Sequence, residues 1–424
     1  MLKTVSLADR LFDANCLPED FLPLISINGN RAAGRIVTDE TDEAESLYAC
    51  GQARSGKTFF LAQQAVIRAA FGERVIIFDQ TGAFSPEELR KHLSDDMIRD
   101  FFSFWEIGRN GLPVDLLSLK HCNSLPEKKQ QLFSIFSVEA RITGDVQGKR
   151  LRKQLPKIVH AIEDRKVNRL SDTLSFFDPN DPEQKDIKDR LEEAFDDLQG
   201  LPESRVTWAE FLTEQSKIVV ISTATDGIRK CSQHIDALLA SLYAWKQHYR
   251  GTRLTIVLDE LEDLCLERDG PIGSILRKGG KHRLSMMLAS QEFSNEKDLL
   301  GKLIGNCGTL VFFRPKDADI NSIAHHIGCN RQLLAQLQQG ECVVKAGFYS
   351  KSKGKNTSGL ISGSAFPAEQ FLFGEYPCFD DEEEDYPDEY LLEEYPLFHD
   401  TIIGEKNQGG PSSESFYLSG GEQE

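Results

Sequence analysis

The first residues that could do chemistry form the stretch GQARSGKT, from Gly51 to Thr58. It matches the spacing GxxxxGK[ST] and lies directly after a predicted strand and before a predicted helix. In that setting backbone N–H groups cradle phosphates, Lys57 neutralises the β and γ phosphates, and the Thr58 hydroxyl binds Mg²⁺. The simpler alternative is a glycine-rich turn. The predicted nucleotide-binding residues are Gly51, Gln52, Ala53, Arg54, Ser55, Gly56, Lys57, Thr58 and Phe59.

A second group, Asp259 and Glu260, ends the apolar stretch TIVLDE. Beside a phosphate-binding loop, the aspartate would hold Mg²⁺ through water and the glutamate would polarise the attacking water, because a loose phosphoryl transition state needs positioning more than covalent help. Alone, the pair could equally be capping carboxylates at the end of a strand. Together with the upstream loop, it favours hydrolysis over phosphoryl transfer to a metabolite.

Two further polar residues end predicted strands. Gln291 follows the stretch LAS and is a candidate sensor of the γ-phosphate, since an amide can both donate to phosphate and accept from water; the alternative is an ordinary solvent-facing amide. Arg314 ends the stretch TLVFF and is either a second phosphate sensor or a surface charge.

The elements that must position these residues are buried strands. Six apolar runs bounded by turn residues predict them, at 46–50, 74–79, 217–223, 253–259, 284–290 and 309–313. Helical patterns lie between several of the runs, such as Phe59, Ala62, Val66 and Ala69. Alternating buried strands and helices predict an α/β fold with a mostly parallel sheet covered by helices.

The remaining segments flank or interrupt this predicted core of residues 46–100 and 216–350. Residues 1–45 are an N-terminal extension, and 101–215 are a mainly helical insertion. No convincing strand appears between Pro86 and Ser216, and a helix over 127–163 is predicted to break near Pro156. Residues 351–374 are interpreted as a flexible loop and linker, and 375–424 as a disordered acidic tail.

Composition limits the class of protein. No run of about 18 apolar residues exists, and the first residues lack a signal core, which predicts a cytoplasmic protein that does not insert into a membrane by itself. The 9 cysteines form no CxxC pair, which disfavours a zinc site and indicates reduced thiols. Mg²⁺ bound with nucleotide is the metal that the sequence predicts.

The net charge of −18 is unevenly distributed. Residues 375–424 hold 16 acidic and one basic side chain, whereas the preceding residues hold 51 acidic and 48 basic, a net charge of −3. A nearly neutral body can carry a local basic surface, so the overall charge does not exclude DNA. The basic stretch from Lys149 to Lys153, with Lys157, Arg165, Lys166 and Arg169, is a candidate DNA contact or a solvated helix face.

The acidic tail has three interpretations. It is a solubilising segment, a peptide that docks on a protein partner, or a mimic of nucleic acid. Its interleaved Tyr386, Tyr390, Leu391 and Leu392 favour docking over mimicry, because a mimic needs carboxylates alone.

The ordered motifs resemble those of the HerA/FtsK superfamily of DNA-pumping ATPases. They are GQARSGKT, VIIFDQTG at 75–82, KIVVIST at 217–223, TIVLDE, and ILRKGGKHRLSMMLASQ at 275–291. The similarity spans roughly residues 45–350 and is greatest to HerA-like helicases and the motor domains of conjugative coupling proteins.

This resemblance implies a RecA-like sheet in which the strand of Gln291 lies between those of the P-loop and Asp259. It also implies a ring, usually a hexamer, whose subunits share each ATP and contribute an arginine finger. Arg277 is the first candidate and Arg283 the second, the alternative for each being an exposed charge at a helix end. The chain departs from many relatives at Ala83, where they carry an acidic residue, and at Gly280, where they carry an arginine.

Two accessory features of the relatives are also missing. About 50 residues precede the P-loop, which we expect to be too few for a HerA-type β-barrel, and we expect no membrane anchor of the coupling-protein kind. The resulting hypothesis is an ATP-driven ring motor that moves DNA. The alternative is an ATPase that switches protein partners in a defence, secretion or packaging complex; a small-molecule kinase is disfavoured by Glu260.

Overall fold

The computed structural model describes residues 12–13, 21–27, 31–37, 45–142, 145–224, 231–249, 251–264, 270–293, 304–350 and 353–373. The acidic tail, for which the sequence predicts disorder, lies outside the described residues. Within the described ranges, no helix is both long and apolar enough to cross a membrane.

The described strands form one mixed sheet. They are β1 (Phe12–Asp13), β2 (Phe21–Ile27), β3 (Arg31–Ile36), β4 (Leu47–Cys50), β5 (Arg74–Asp79), β6 (Phe102–Glu106), β7 (Ile218–Ser222), β8 (Leu254–Leu258), β9 (Leu284–Ser290), β10 (Thr309–Phe313), β11 (Glu341–Ser350) and β12 (Lys355–Ala365). Their order across the sheet is β1-β3-β2-β12-β11-β10-β4-β9-β8-β5-β7-β6. The predicted α/β class is confirmed.

The seven strands from β10 to β6 in this order run parallel to one another. They include all six predicted strands. Because helices cover both faces of the sheet, the six predicted strands are almost entirely buried and therefore appear in the sequence as continuous apolar runs. Strand β9 lies between β4 and β8, the order that the resemblance implies.

The other five strands are antiparallel, and they change two predictions. Strand β12 occupies residues 355–365 and pairs with β11, so the flexible loop predicted over 351–374 is wrong for these residues. Its polar sequence lacks an apolar run, and cross-strand pairing determines its conformation. The predicted N-terminal extension supplies β2 and β3 to the same sheet, where β2 pairs with β12.

The helices are α1 (Lys57–Ala70), α2 (Pro86–Leu89), α3 (Asp95–Phe101), α4 (Ile107–Asn110), α5 (Leu125–Glu139), α6 (Asp145–Glu163), α7 (Pro182–Asp196), α8 (Trp208–Glu214), α9 (Cys231–His248), α10 (Pro271–Lys278), α11 (Ile320–Ile327), α12 (Arg331–Gln336) and α13 (Ala368–Phe373). Short 3₁₀ helices cover Ser171–Phe176, Leu261–Asp263 and Gly279–His282.

The region predicted as a mainly helical insertion contains α4 to α8 and one strand. That strand, β6, contradicts the prediction of no strand between Pro86 and Ser216. It pairs with β7 at the edge of the sheet, and its alternately exposed residues break the apolar run that would have indicated it. The predicted helix break near Pro156 is also wrong. The helices separate after Ala140, where Arg141 has φ 46°, and Pro156 lies inside α6.

Two apolar layers lie on the two faces of the sheet. In β5, Ile76 and Phe78 join the layer beneath α5, α6, α9 and α10, whereas Val75 and Ile77 join the layer beneath α1. This two-residue alternation is the ordinary geometry of a strand. Each fully buried side chain of this size contributes about 1.5–3 kcal/mol, so both layers hold the sheet rigid beneath the loops at its carboxyl edge.

Candidate functional site

The P-loop connects β4 to α1 at the carboxyl ends of the parallel strands. Its first residue is anchored on the neighbouring strand, since Gly51 N donates to Ser290 O at 3.3 Å. A Cβ at Gly51 would lie 2.7 Å from Phe313 Cβ, so a larger residue would displace the strand beside it. Gly56 has φ 115°, a conformation that favours glycine. Packing and backbone conformation therefore explain the two glycines of the motif.

Lys57 and Ser55 are the buried polar side chains of this loop. Lys57 Nζ donates to Gly51 O at 2.7 Å and to Gln52 O at 3.1 Å, so the ammonium group lies inside the curve of the loop. Burial lowers the pKa of Lys57, and the nearby Asp259 carboxylate opposes that shift. Ser55 Oγ is buried and has no hydrogen-bond partner among the described residues.

Thr58 and Asp259 come together although 201 residues separate them. Thr58 Oγ1 donates to Asp259 Oδ2 at 2.9 Å. Asp259 follows β8 directly and is buried. Burial raises the pKa of its carboxyl group, while the Thr58 hydroxyl and the Lys57 charge act in the opposite direction. A hydroxyl and a carboxylate directed at one point can hold a hydrated divalent cation.

The side chains of Glu260 and Gln291 also meet. Gln291 Nε2 donates to Glu260 Oε1 at 3.0 Å. Glu260 has φ 61° and ψ 66°, a left-handed conformation that costs a residue other than glycine on the order of 1 kcal/mol. This conformation turns the chain sharply after β8 and leaves the Glu260 side chain partly exposed at the sheet edge.

The three candidate arginines lie in two different places. Arg314 follows β10 and is exposed. It lies beside the P-loop, since its backbone carbonyl accepts a hydrogen bond from Gln52 N at 2.9 Å. Arg283 immediately precedes β9, whose seven residues separate it from Ser290 by about 23 Å at 3.3 Å per residue. Arg277 lies in the last turn of α10, which leads to the same amino edge of the sheet. The chain therefore does not bring Arg277 or Arg283 to its own P-loop.

The remaining predicted binding residues have varied surroundings. Ala53 and Arg54 are exposed at the tip of the P-loop, where Arg54 has φ 63°. Phe59 lies in the first turn of α1 and packs edge-on against His92, with ring centroids 5.4 Å apart. The exposed tip is accessible to a ligand, whereas Phe59 contributes packing to the start of the helix.

No model of a known protein family matches the chain, and no curated protein matches it. Solved structures do match. VirB4 of Thermoanaerobacter pseudethanolicus gives a TM-score of 0.58 at 14% identity, over 82% of this chain and 97% of that chain. Plasmid coupling protein TrwB, in complex with ADP and Mg²⁺, gives a TM-score of 0.54 at 15% identity, over 81% of this chain and 89% of that chain.

The chain has the fold of VirB4 and TrwB. TrwB is a bacterial conjugative coupling protein, one of the two classes to which the sequence motifs are most similar. The fold that the sequence resemblance implies is therefore confirmed.

Within this VirB4-like fold, sequence reasoning missed two acidic residues at the carboxyl edge. Asp79 ends β5 and accepts four backbone N–H groups, from Thr81, Gly82, Ala83 and Phe84, at 2.8–3.2 Å. Asp79 fixes the turn that contains Ala83. Alanine at this position, where the sequence analysis noted an acidic residue in many relatives, therefore leaves the turn intact. The D-x-x-G spacing of the motif VIIFDQTG was the available signal.

The second missed residue is Glu262. Its Oε1 accepts from Gln291 N at 2.6 Å and lies 2.8 Å from the hydroxyl oxygen of Ser290. Nothing local in the sequence distinguishes it from the other acidic residues of the stretch DELED. Only the juxtaposition of β8 and β9 brings Glu262 to Gln291.

Proposed function

We propose that the chain is an ATP-hydrolysing motor that moves DNA through an oligomeric ring, a hexamer being favoured. The observation that carries hydrolysis is the convergence of four predicted side chains at one edge of the sheet. Thr58 contacts Asp259, and Gln291 contacts Glu260, each within hydrogen-bond distance. The VirB4-like fold, and the ADP and Mg²⁺ bound by TrwB, support this assignment.

The P-loop fits a nucleotide with Mg²⁺. Ser55 Oγ is a buried hydroxyl without a partner among the described residues, and a Cβ at Gly51 would lie 2.8 Å from it. The α1 N-terminus and Lys57 suit phosphate oxygens. Thr58 and Asp259 are oxygen donors, which Mg²⁺ prefers. When bound, the cation would neutralise charge on the transferred phosphoryl group.

Each of the chain's own residues then has a separate role in hydrolysis. Lys57 binds phosphate oxygens, and Glu260 orients and polarises the attacking water. Gln291 holds the Glu260 carboxylate and lies where an amide could also contact phosphate. Arg314, beside the P-loop, is the candidate second sensor. Arg277 or Arg283 would act on a neighbouring subunit's nucleotide, since each lies at the opposite edge of the sheet from its own P-loop.

A cationic stripe on α6, formed by Lys149, Lys153 and Lys157, supports DNA as the substrate. The three residues are four apart and exposed, so they lie on one helix face. Within the described part of the chain, none has a carboxylate at salt-bridge distance. By contrast, Arg150 pairs with Glu183 and Lys166 with Asp164. Cations at regular spacing that no carboxylate neutralises suit a phosphate backbone.

ATPase stimulation by DNA tests this proposal. We expect double-stranded DNA to raise the hydrolysis rate of the full chain, and the K149A/K153A/K157A variant to lose most of that stimulation at an unchanged basal rate. Each lost phosphate contact should also reduce the slope of log affinity against log salt by about 0.9. The matched control is Lys166→Ala on the same insertion, which removes a cation already paired with Asp164.

Absence of any DNA effect on a hydrolysing wild-type protein would contradict the motor. It would favour the alternative of an ATPase that switches a protein partner, for which the acidic tail is the candidate docking segment. Absence of hydrolysis in the wild type would contradict both.

A further inference from the structure

The tip of β9 is held from two sides. On one side its register places Ser290 opposite Cys50, and the Ser290 carbonyl accepts from Gly51 N of the P-loop. On the other side Gln291 N donates to Glu262 Oε1 at 2.6 Å. Ser290 Oγ lies 2.8 Å from the same oxygen and 2.6 Å from Glu292 O, and its single proton can go to either acceptor. Glu262 therefore connects the end of β9 to the segment that follows β8.

The position of Gln291 depends on this connection. Gln291 lies beyond the last residue of β9, so the ladder of the sheet no longer constrains its backbone. The contact from its backbone N–H to Glu262 supplies that constraint and is short, as expected of a hydrogen bond to a carboxylate. From the backbone position so defined, the Gln291 side chain reaches Glu260 Oε1 at 3.0 Å.

We propose that Glu262 is a positioning residue for hydrolysis: it fixes the tip of β9 so that the Gln291 amide orients the Glu260 carboxylate. This inference rests on the proposed ATPase function. Glu260 and Glu262 lie on either side of Leu261, in the left-handed residue and 3₁₀ helix that follow β8. The two carboxylates and the amide thus form one chain of contacts, from Glu262 through Gln291 to Glu260.

A positioning role requires that Glu262 act through Gln291. Glu262 is also one of the charges that raise the pKa of Lys57 against the effect of burial, so a direct electrostatic effect on the P-loop is the competing explanation. The two explanations differ in their consequences. Loss of a negative charge near the phosphates would strengthen nucleotide binding, whereas loss of positioning would slow the catalytic step at unchanged binding.

A double-mutant cycle on the full-length protein tests the inference. We expect Glu262→Ala to lower kcat for ATP by about 10- to 100-fold, the range for losing a hydrogen bond to a charged group. The dissociation constant for ATP, measured by equilibrium binding, should stay within about twofold. Gln291→Ala should give a similar loss, and the double variant should be no slower than Gln291→Ala alone.

Two more variants complete the design. Glu262→Gln keeps an acceptor oxygen and should lie between the wild type and Glu262→Ala, which guards against misfolding as the cause of the loss. Glu292→Gln is the matched control, because the Glu292 carboxylate pairs with Lys316 on the surface. It should leave kcat unchanged.

Additive losses in the double variant, wild-type kcat in both Glu262 variants, or tighter ATP binding at unchanged kcat would each overturn the positioning role. These outcomes are distinct from failure of the proposed function, which would appear as a wild-type protein that hydrolyses no ATP.

Discussion

At the scale of single residues, variants of Lys57 and Glu260 distinguish nucleotide binding from hydrolysis. Lys57→Ala removes the ammonium group inside the P-loop, and we expect it to abolish hydrolysis. Glu260→Gln keeps the shape of the side chain but cannot polarise water, so it should bind ATP normally and turn over slower by orders of magnitude. Steady-state ATPase assays with equilibrium nucleotide binding would measure both effects.

The matched control for this pair is Glu292→Gln, the same chemical change at a surface carboxylate. Wild-type turnover in Glu260→Gln would remove that residue from its assigned role. In that case Glu262, the other carboxylate in contact with Gln291, would be the next candidate to examine.

At the scale of elements, the Asn356 amide joins the β11–β12 hairpin to the end of β3. Asn356 Oδ1 accepts from Ile36 N at 3.1 Å, and Asn356 Nδ2 donates to Ile36 O at 3.0 Å. The side chain thus pairs with the end of β3 as a neighbouring strand would. We expect Asn356→Ala to lower the free energy of unfolding by about 1–3 kcal/mol, since two backbone groups lose their partner.

Chemical denaturation of the full chain, compared with Ser358→Ala, would measure this effect. Ser358 is exposed on the same strand, so its truncation should change stability by less than about 0.5 kcal/mol. Equal stability of Asn356→Ala and the wild type would show that the backbone pairing of β12 with β11 holds the hairpin without the amide.

At the scale of the whole molecule, the distance between the P-loop and the candidate arginine fingers predicts action between subunits. We expect Arg277→Ala and Lys57→Ala proteins to be inactive separately and to regain hydrolysis when mixed, since a mixed ring contains interfaces with one intact P-loop and one intact Arg277. Lys278→Ala, at the neighbouring exposed position, is the control and should be active alone.

No recovery on mixing, with normal assembly of both variants, would remove the support for Arg277. The same experiment would then be repeated with Arg283→Ala. Recovery with that variant would assign the finger to Arg283.

The predicted docking role of the acidic tail is also tested at the scale of the whole molecule. If it docks a protein partner, removal of residues 375–424 should leave DNA affinity nearly unchanged and abolish co-purification of that partner. Replacing Tyr386, Tyr390, Leu391 and Leu392 with alanine should have the same effect at constant charge. Titrations of DNA into full-length and truncated protein at two salt concentrations would test this. Affinity that rises on truncation, and rises less at high salt, would instead indicate a mimic of nucleic acid.

Local patterns in the sequence predicted much of the site and of the central sheet. Gly51 to Thr58 could be identified because the P-loop is one continuous segment whose glycines are required by its own backbone and close packing. Strands β4, β5 and β7 to β10 could be identified because burial on both faces makes a strand apolar along its whole length. Asp259, Glu260 and Gln291 followed because each ends such a run.

Tertiary structure decided the rest, because the deciding contacts join segments that are distant in the chain. The pairing of Gln291 with Glu260, and the role of Glu262, depend on β9 lying beside β8. Strands β6 and β12 carry alternating or polar residues, so their conformation comes from β7 and β11 and not from their own pattern. The sequence by itself thus determined which residues could do the chemistry. The order of the strands determined which of them meet, because hydrogen bonds between neighbouring strands hold side chains at their ends within reach of one another.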